Sequence, residues 1–243
     1  MSFETVLKAA QAGDPDAQTA MGYLFFKGDG VGQDRREAAR WFGLAADQGN
    51  AEAMCNLGYI KAHGYGVKAD IPGAMELYER SAELGYPQAM FNLGFMYSDV
   101  VGVEQDWDKA GYWYSKAADA GSVLAMHRLG VMCEEGRGCE RDPKRAAELY
   151  SKASAAGYGR SSVRLAGMML RGDGVPRNMK KAVSLLASAA DSGSEEAMYM
   201  LGMLSLSGEG MAKSETNAVK WFRKAASRGS APAEEKLKEM GIE

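Results

Sequence analysis

The sequence predicts an all-α fold, a solenoid of six helix-turn-helix repeats of 36 residues with a capping helix at each end. The first observation is a glycine that recurs every 36 residues, at Gly13, Gly49, Gly85, Gly121, Gly157, Gly193 and Gly229. Self-similarity at a fixed period indicates stacked supersecondary units rather than one globular core. The second and third observations are apolar residues at helical spacing in each half of the period.

The first half of each repeat predicts a helix. Positions are counted from the glycine that closes the previous repeat. Small residues stand at position 4, as Ala17, Ala53, Ala89, Ala125, Ser161 and Ala197. Apolar residues stand at position 8, as Met21, Leu57, Leu93, Leu129, Leu165 and Leu201. Position 9 is Gly22, Gly58, Gly94, Gly130, Ala166 or Gly202. Spacings of three and four are helical, and a glycine kept within a helix predicts a close approach of two helices.

The second half predicts another helix, which begins at a capping residue. Large apolar residues occupy position 29, as Phe42, Tyr78, Tyr114, Tyr150, Leu186 and Phe222. Alanine stands at position 25 in all six repeats, and four residues before it lie Asp34, Asp70, Asp106, Asp142, Asn178 and Ser214. All six are favoured N-caps, because their side chains accept hydrogen bonds from the free amides of a first helical turn. Pro143 follows one of them, at the first helical position, where a missing N–H costs nothing.

We expect one solenoid domain over residues 1–243. Its predicted parts are an N-terminal capping helix in 2–13, repeats at 14–49, 50–85, 86–121, 122–157, 158–193 and 194–229, and a C-terminal capping helix in 230–243. Terminal units with a polar outer face are typical of such arrays.

Composition restricts the function classes. The chain is 46% hydrophobic and 25% charged, which is ordinary for a soluble protein, and its net charge of −3 argues against nucleic acid or an anionic membrane as partner. The N-terminal residues MSFETVLKAAQAG do not resemble a signal peptide, and no apolar run approaches the ~20 residues that span a bilayer. Three irregularly placed cysteines do not indicate a disulfide framework. We therefore expect a cytoplasmic protein, with a periplasmic or secreted location left open if a signal segment has been removed.

The segment LGYIKAHGYGVKADIPGAMELYERSAELG, residues 57–85, resembles the Sel-one-like repeat, a variant of the tetratricopeptide helix-turn-helix repeat. The resemblance covers residues 14–229 and depends on LG, GxGV, D, A, W/Y, AA and G recurring in that order. It implies a right-handed superhelix whose first helices line a concave groove. It also implies an adaptor for protein complexes, often in bacterial signalling, envelope or host-contact roles.

The same resemblance leaves an alternative function open. Some secreted, cysteine-rich relatives carry a disulfide in most repeats, and β-lactam binding or hydrolysis is attributed to them. This chain lacks their cysteine pattern. The repeat pattern also departs from itself at two positions: Val100 replaces a turn glycine in the third repeat, which predicts a different turn there, and Lys61 replaces an apolar or aromatic residue.

The candidate site is the concave face that the resemblance implies. If tetratricopeptide geometry applies, positions 3, 6, 10, 13 and 14 of the first helices face this groove. Eleven residues at those positions are the candidates: Tyr23, Phe26, Lys27, Tyr59, His63, Phe91, Phe95, Asp99, His127, Arg171 and Tyr199. Clustered exposed aromatics are typical of interaction sites. We therefore predict a groove that holds an extended peptide or a partner helix, the alternative being that the rings only pack between neighbouring helices.

Other chemistry is not indicated. The GDGV-like segments recur as turns without a preceding strand, so they do not predict a phosphate-binding loop. Cys133 and Cys139 with His127 do not match the spacing of a zinc site, although pairing of the two cysteines stays open. No local motif combines a nucleophile, a base and an orienting acid. We expect a monomer with no catalytic activity, no cofactor, no metal and no nucleic-acid or membrane partner.

Overall fold

A computed structural model describes residues 2–99 and 102–242, which contain fourteen α-helices and no β-strand. The helices are α1 Phe3–Gln11, α2 Pro15–Lys27, α3 Arg35–Asp47, α4 Ala51–His63, α5 Ile71–Glu83, α6 Pro87–Asp99, α7 Trp107–Asp119, α8 Val123–Glu135, α9 Pro143–Ala155, α10 Gly159–Arg171, α11 Met179–Asp191, α12 Glu195–Ser207, α13 Glu215–Ala226 and α14 Ala231–Glu239. The all-α prediction, with two helices in each of six repeats, is confirmed. We call α2, α4, α6, α8, α10 and α12 the first helices. The helices that follow them, α3, α5, α7, α9, α11 and α13, are the second helices.

The helices form two compact units, one ending at Ala125 (unit 1) and one beginning at Met126 (unit 2). In unit 1, α2 packs on α3, α4 on α5 and α6 on α7, while α3 also packs on α4 and α5 on α6. Unit 2 has the same pattern, with α9 on α10, α10 on α11 and α12 on α13. Both predicted capping helices form, since α1 packs on α2 and α14 on α13.

The six predicted N-caps are confirmed. Asp142 Oδ1 accepts a hydrogen bond from the Arg145 N–H at 2.9 Å, and Ser214 Oγ accepts one from the Asn217 N–H at 3.2 Å. The capping residues also close the turn, because their own N–H groups donate to carbonyl oxygens near the end of the first helix at 2.8 to 3.0 Å. One residue therefore starts the second helix and fixes its distance from the first.

The predicted close approach of two helices is confirmed in the five repeats that carry the glycine, where the glycine of the first helix meets an aromatic ring of the second helix. A Cβ atom built on Gly22 would lie 2.6 Å from the ring of Phe42, and one on Gly94 would lie 2.6 Å from the ring of Tyr114. The rings at this position are among the largest fully buried side chains of the protein. Missing Cβ atoms thus let the rings fill the hairpin interior, and the first helices are held close to their partners.

The two departures from the repeat have different outcomes. Val100 lies outside the described residues, so the different turn expected there stays a prediction. The Lys61 ammonium lies 3.2 Å from Oδ2 of Asp70, the cap of α5. The Gly73 N–H and then the Lys61 ammonium hold the pKa of Asp70 below its ordinary value.

None of the described helices has the length and apolar character needed to cross a bilayer.

Candidate functional site

The first helices carry all eleven predicted site residues. Six of these are exposed, namely Lys27, Tyr59, His63, Phe95, Asp99 and Arg171. Five are partly buried, namely Tyr23, Phe26, Phe91, His127 and Tyr199. They do not form one cluster, and the groups within each unit differ in chemistry.

In unit 1, three predicted residues join an aromatic cluster. The rings of Phe26 and Tyr59 have centroids 6.3 Å apart, and the Tyr59 and His63 rings are 4.2 Å apart. His63 Nδ1 donates to the carbonyl oxygen of Tyr59 at 2.9 Å, which fixes the imidazole on its own helix. Tyr59 keeps 40% of its surface exposed. Adjacent repeats therefore bring rings of α2 and α4 together at the surface.

Two residues that we did not predict complete this cluster. Tyr65, from the turn after α4, stacks on His63 at 5.2 Å and lies 5.9 Å from Tyr59. The Arg35 guanidinium lies over the Tyr65 ring at 4.2 Å and over the Phe26 ring at 5.8 Å. Cation–π contacts of this kind are worth about 0.5–1 kcal/mol at exposed sites. We call these five residues the aromatic patch.

Tyr23 has a structural position beside the patch. Its hydroxyl donates to Glu52 Oε1 at 2.8 Å and accepts from Asn56 Nδ2 at 2.7 Å, and its ring meets that of Phe42 edge-on. Burial is the main reason that the pKa of Tyr23 is raised. Because both hydroxyl partners belong to α4, Tyr23 fixes α2 against α4 and so aligns the helices that carry the patch.

The other predicted aromatics lie apart from the patch. Phe91 packs on Tyr114 with ring centroids 5.6 Å apart, whereas Phe95, one turn further along α6, is 36% exposed. In unit 2, Tyr199 packs on Phe222 at 5.7 Å. The rings of Phe91 and Tyr199 thus pack partly into the interior of their hairpins, whereas Phe95 has the largest exposed fraction of the three.

His127 is enclosed in unit 2 by residues of α9 and α10 and by Tyr158, which precedes α10. Its ring lies 5.0 Å from Tyr158 and 5.7 Å from Tyr150, and Nδ1 is 2.9 Å from Ser161 Oγ. Burial, followed by the positive charges of Arg128, Arg164 and Arg160, lowers the pKa of His127 to about 4. The imidazole is therefore neutral at pH 7 and contributes no charge to the surface of unit 2.

Arg171, a predicted site residue, shares one carboxylate with a second arginine. Its Nη2 lies 3.4 Å from Glu134 Oε1, and Arg164 Nη1 lies 3.4 Å from Glu134 Oε2. The Tyr150 hydroxyl donates to the same Glu134 Oε2 at 2.9 Å. Only 13% of the Glu134 side chain is exposed, so this carboxylate is held on several sides.

The enclosed imidazole predicts an acid-sensitive contribution to stability. The folded pKa of about 4 lies below the ordinary 6.5, so the contribution of His127 is fully present above pH 6.5 and is lost as the pH falls towards 4. After allowance for partial exposure, we expect wild type to lose about 1 kcal/mol more free energy of unfolding than His127→Gln between pH 7.5 and pH 5. Urea titrations at the two pH values measure this difference.

A matched variant controls for other titrating groups. His63→Gln makes the same substitution at the exposed imidazole on α4 and gives the effect of replacing a histidine outside the enclosed position. Equal losses in wild type and His127→Gln would contradict the assignment of a neutral, enclosed His127.

The cysteines are free thiols. Cys55 and Cys133 are buried and Cys139 is exposed. Burial raises the pKa of Cys55 to about 12 and is the main cause of the raised pKa of Cys133. Within residues 2–99 and 102–242, no group of three or more His, Cys, Asp or Glu side chains is placed to hold a metal ion. The expected absence of metal and cofactor stays a prediction.

Six consecutive helical hairpins whose second helices share the same kind of cap, five of them with a glycine–ring contact, define a helical repeat protein. The Sel1 repeat model matches residues 15–50, 51–86, 87–122, 123–158, 160–194 and 195–230. The chain therefore belongs to the Sel1 repeat family. Among proteins with curated descriptions, none matches it.

Solved structures agree with this assignment. A protective antigen of uropathogenic Escherichia coli with an SLR fold is 31% identical, with a TM-score of 0.90 over 97% of this chain. Our chain spans 50% of the length of that protein. A Sel1 repeat protein from Oxalobacter formigenes is 29% identical, with a TM-score of 0.81 over 89% of each chain. An immunity protein from Pseudomonas aeruginosa, 22% identical with a TM-score of 0.52 over 90% of this chain and 83% of its own, shares the fold.

Proposed function

We propose that this chain is a non-catalytic interaction module that binds a peptide or partner protein on the surface of its first helices. Sel1 repeat proteins are generally protein–protein interaction scaffolds. The aromatic patch of unit 1 is the observation that carries the proposal. Its rings come from two adjacent first helices and one turn, so the patch exists only when the repeats are stacked.

The exposed fraction of the patch supports binding rather than packing alone. Tyr59 is 40% exposed although the rings of Phe26, His63 and Tyr65 pack around it. Tyrosine gives a large contact area at a low cost in side-chain entropy, and it is enriched among residues that dominate binding energy. Since Arg35 and His63 already hold Tyr65, little ordering cost remains when a partner arrives.

The remaining predicted residues have two kinds of role in this proposal. Lys27, Phe95 and Asp99 are exposed and offer further contacts on α2 and α6. Tyr23 and Phe91 act through the packing of the helices that carry the exposed groups. His127, Arg171 and Tyr199 belong to unit 2 and contribute a separate set of side chains.

The test removes two rings of the aromatic patch, Tyr59 and Tyr65, while leaving the helices intact. We expect Tyr59→Ala/Tyr65→Ala to retain partners from a native lysate about 30-fold less than wild type, since two binding residues at about 1 kcal/mol each give that loss. Quantitative mass spectrometry of the retained proteins measures it. Tyr59 is exposed and Tyr65 is partly buried against the hydrophobic core of unit 1, so thermal unfolding of the variant is measured in parallel, and we expect only a modest loss of stability.

The control alters an exposed apolar surface at a different place in unit 1. Tyr112 on α7 is 55% exposed and Leu84, after α5, is 59% exposed, so Tyr112→Ala/Leu84→Ala removes comparable apolar surface from the second-helix side. We expect this control to retain the wild-type partners. The same partners retained by all three proteins would exclude the aromatic patch as the binding surface.

The alternative function is β-lactam binding or hydrolysis. A colour assay for hydrolysis of the β-lactam nitrocefin distinguishes it from the proposed interaction module. The resemblance that suggested it concerns relatives with a disulfide in most repeats, whereas Cys55, Cys133 and Cys139 are free thiols here. Burial keeps the Cys55 thiol protonated at neutral pH, so it does not act as a nucleophile. Nitrocefin turnover above the rate of a heat-denatured sample would replace the proposed function with this alternative.

A further inference from the structure

We propose that three arginines on one face of α10 bind an acidic segment of the protein partner. The residues are Arg160, Arg164 and Arg171, which we call the arginine stripe. This inference rests on the proposed function, because it assumes that the first helices are the binding surface, and it adds the chemistry of the partner. It concerns unit 2 alone.

The stripe follows from the spacing of the three residues on a single helix. Separations of four and seven residues place them within about 40° of one another around the helix axis, with axial steps of about 6 Å and about 10 Å. All three are exposed, and α10 carries no aspartate or glutamate in its sequence GRSSVRLAGMMLR. Positive charge is therefore concentrated along one line of this helix.

The surroundings of the stripe leave it positively charged. The carboxylate of Glu134 on α8 contacts the arginine stripe, where it forms ion pairs with both Arg164 and Arg171. In the described part of the chain, Arg160 makes no ion pair. Three guanidinium groups and one carboxylate give a local charge of about +2 in a chain whose net charge is −3. The sign of this patch is opposite to that of the whole protein.

Glu134 indicates which anion the stripe accepts. Its carboxylate lies between two guanidinium groups, which provide the planar pairs of N–H donors that a carboxylate needs. The axial step between Arg160 and Arg164, about 6 Å, matches two residues of an extended chain at about 3.3 Å each. A strand with acidic residues at alternate positions would therefore place successive carboxylates beside these two arginines.

The experiment uses the whole chain and a defined probe. Fluorescence anisotropy measures binding of a labelled decapeptide of alternating Glu and Ser, compared with one of alternating Gln and Ser. We expect saturable binding of the acidic peptide, and an increase in Kd of at least about tenfold in Arg160→Gln/Arg164→Gln, because two charge-assisted contacts are lost. Binding should weaken as salt is added, as for any exposed charge pair.

Two further variants keep the test decisive. Lys220→Gln/Arg223→Gln removes the same two charges from exposed positions on α13 and is expected to change Kd by less than about twofold. Arg160→Gln alone leaves both ion pairs of Glu134 in place, so it tests the stripe even if the double variant unfolds. An equal effect of the α13 variant would assign binding to net charge and overturn the stripe.

The remaining outcomes separate this inference from the proposed function. No binding of the acidic peptide by wild type, or preferential binding of a labelled ten-residue thymidine oligonucleotide, would overturn the acidic-segment proposal. If Tyr59→Ala/Tyr65→Ala still loses its lysate partners in that case, the interaction module stands without the stripe. If the peptide binds but the aromatic double variant keeps every partner, the stripe stands and the aromatic patch does not.

Discussion

Gly202→Ala is expected to destabilise unit 2 by about 2 kcal/mol. A Cβ atom at this position would lie 2.4 Å from Cε1 and 2.6 Å from Cδ1 of Phe222, a ring that is fully buried. Overpacking of a filled interior costs about 3 kcal/mol when a ring has to move, whereas replacing a helical glycine by alanine gains only about 1 kcal/mol. Urea unfolding followed by circular dichroism measures the difference.

The sign of the same substitution should reverse when the ring is smaller. In a Phe222→Leu background the space beside position 202 is no longer filled by a ring, so Gly202→Ala then keeps its helical advantage of about 1 kcal/mol. The fifth repeat provides this combination naturally, with Ala166 and Leu186 at the two equivalent positions, both fully buried. The four unfolding free energies form a double-mutant cycle whose coupling energy is expected to be about 3 kcal/mol.

A coupling energy near zero would contradict this account. It would mean that the glycine recurs because of a requirement within the first helix, and not because an aromatic ring of the second helix packs against it. Ala166→Gly gives an independent check, because it should cost about 1 kcal/mol from helix propensity and cavity formation together. A stabilising Ala166→Gly would point to the same contradiction.

Much of the fold could be predicted because each rule acts within a few residues or recurs six times. A cap such as Asn178 or Ser214 depends on its own side chain and on the amide three residues later, and both are visible in sequence. The glycine at position 9 and the ring at position 29 vary together between repeats, so their contact was predictable too. The hairpin geometry therefore follows from local chemistry.

The aromatic patch could be predicted only in part, because its members come from different structural contexts. Phe26, Tyr59 and His63 lie at regular first-helix positions. Tyr65 lies in a turn whose equivalent residues include Asp29 and others that are charged, so helical spacing does not identify it. Its exceptional aromatic character within the GxG turn was the available signal.

Side-chain burial at the first helices was the least predictable property. Position 10 carries both Tyr23 and Tyr59, yet one hydroxyl is held by Glu52 and Asn56 while the other ring is largely at the surface. The difference depends on which polar residues the next repeat supplies. The 36-residue period predicts where a residue lies on its helix, but the exposed fraction of its side chain depends on the residues of the neighbouring repeat.

Gly174→Ala is expected to have a larger effect than Gly202→Ala, with a loss of about 4 kcal/mol or more. Its φ of +71° is a conformation that costs an L-residue about 1–2 kcal/mol. In addition, a Cβ atom would lie 2.2 Å from the Pro143 carbonyl oxygen and 2.7 Å from the Lys144 nitrogen. These are backbone atoms at the start of α9, so the whole helix terminus would have to move.

Gly30 separates the two contributions. Its φ of +72° is the same within a degree, but nothing lies within 4 Å of a Cβ atom built there. We therefore expect Gly30→Ala to cost about 1–2 kcal/mol, the conformational part alone. Equal losses for the two variants would mean that the turn does not rest on the preceding repeat. A loss at least about 2 kcal/mol larger for Gly174→Ala would show that this glycine serves two requirements, the left-handed turn and the backbone contact that joins α9 to the next turn.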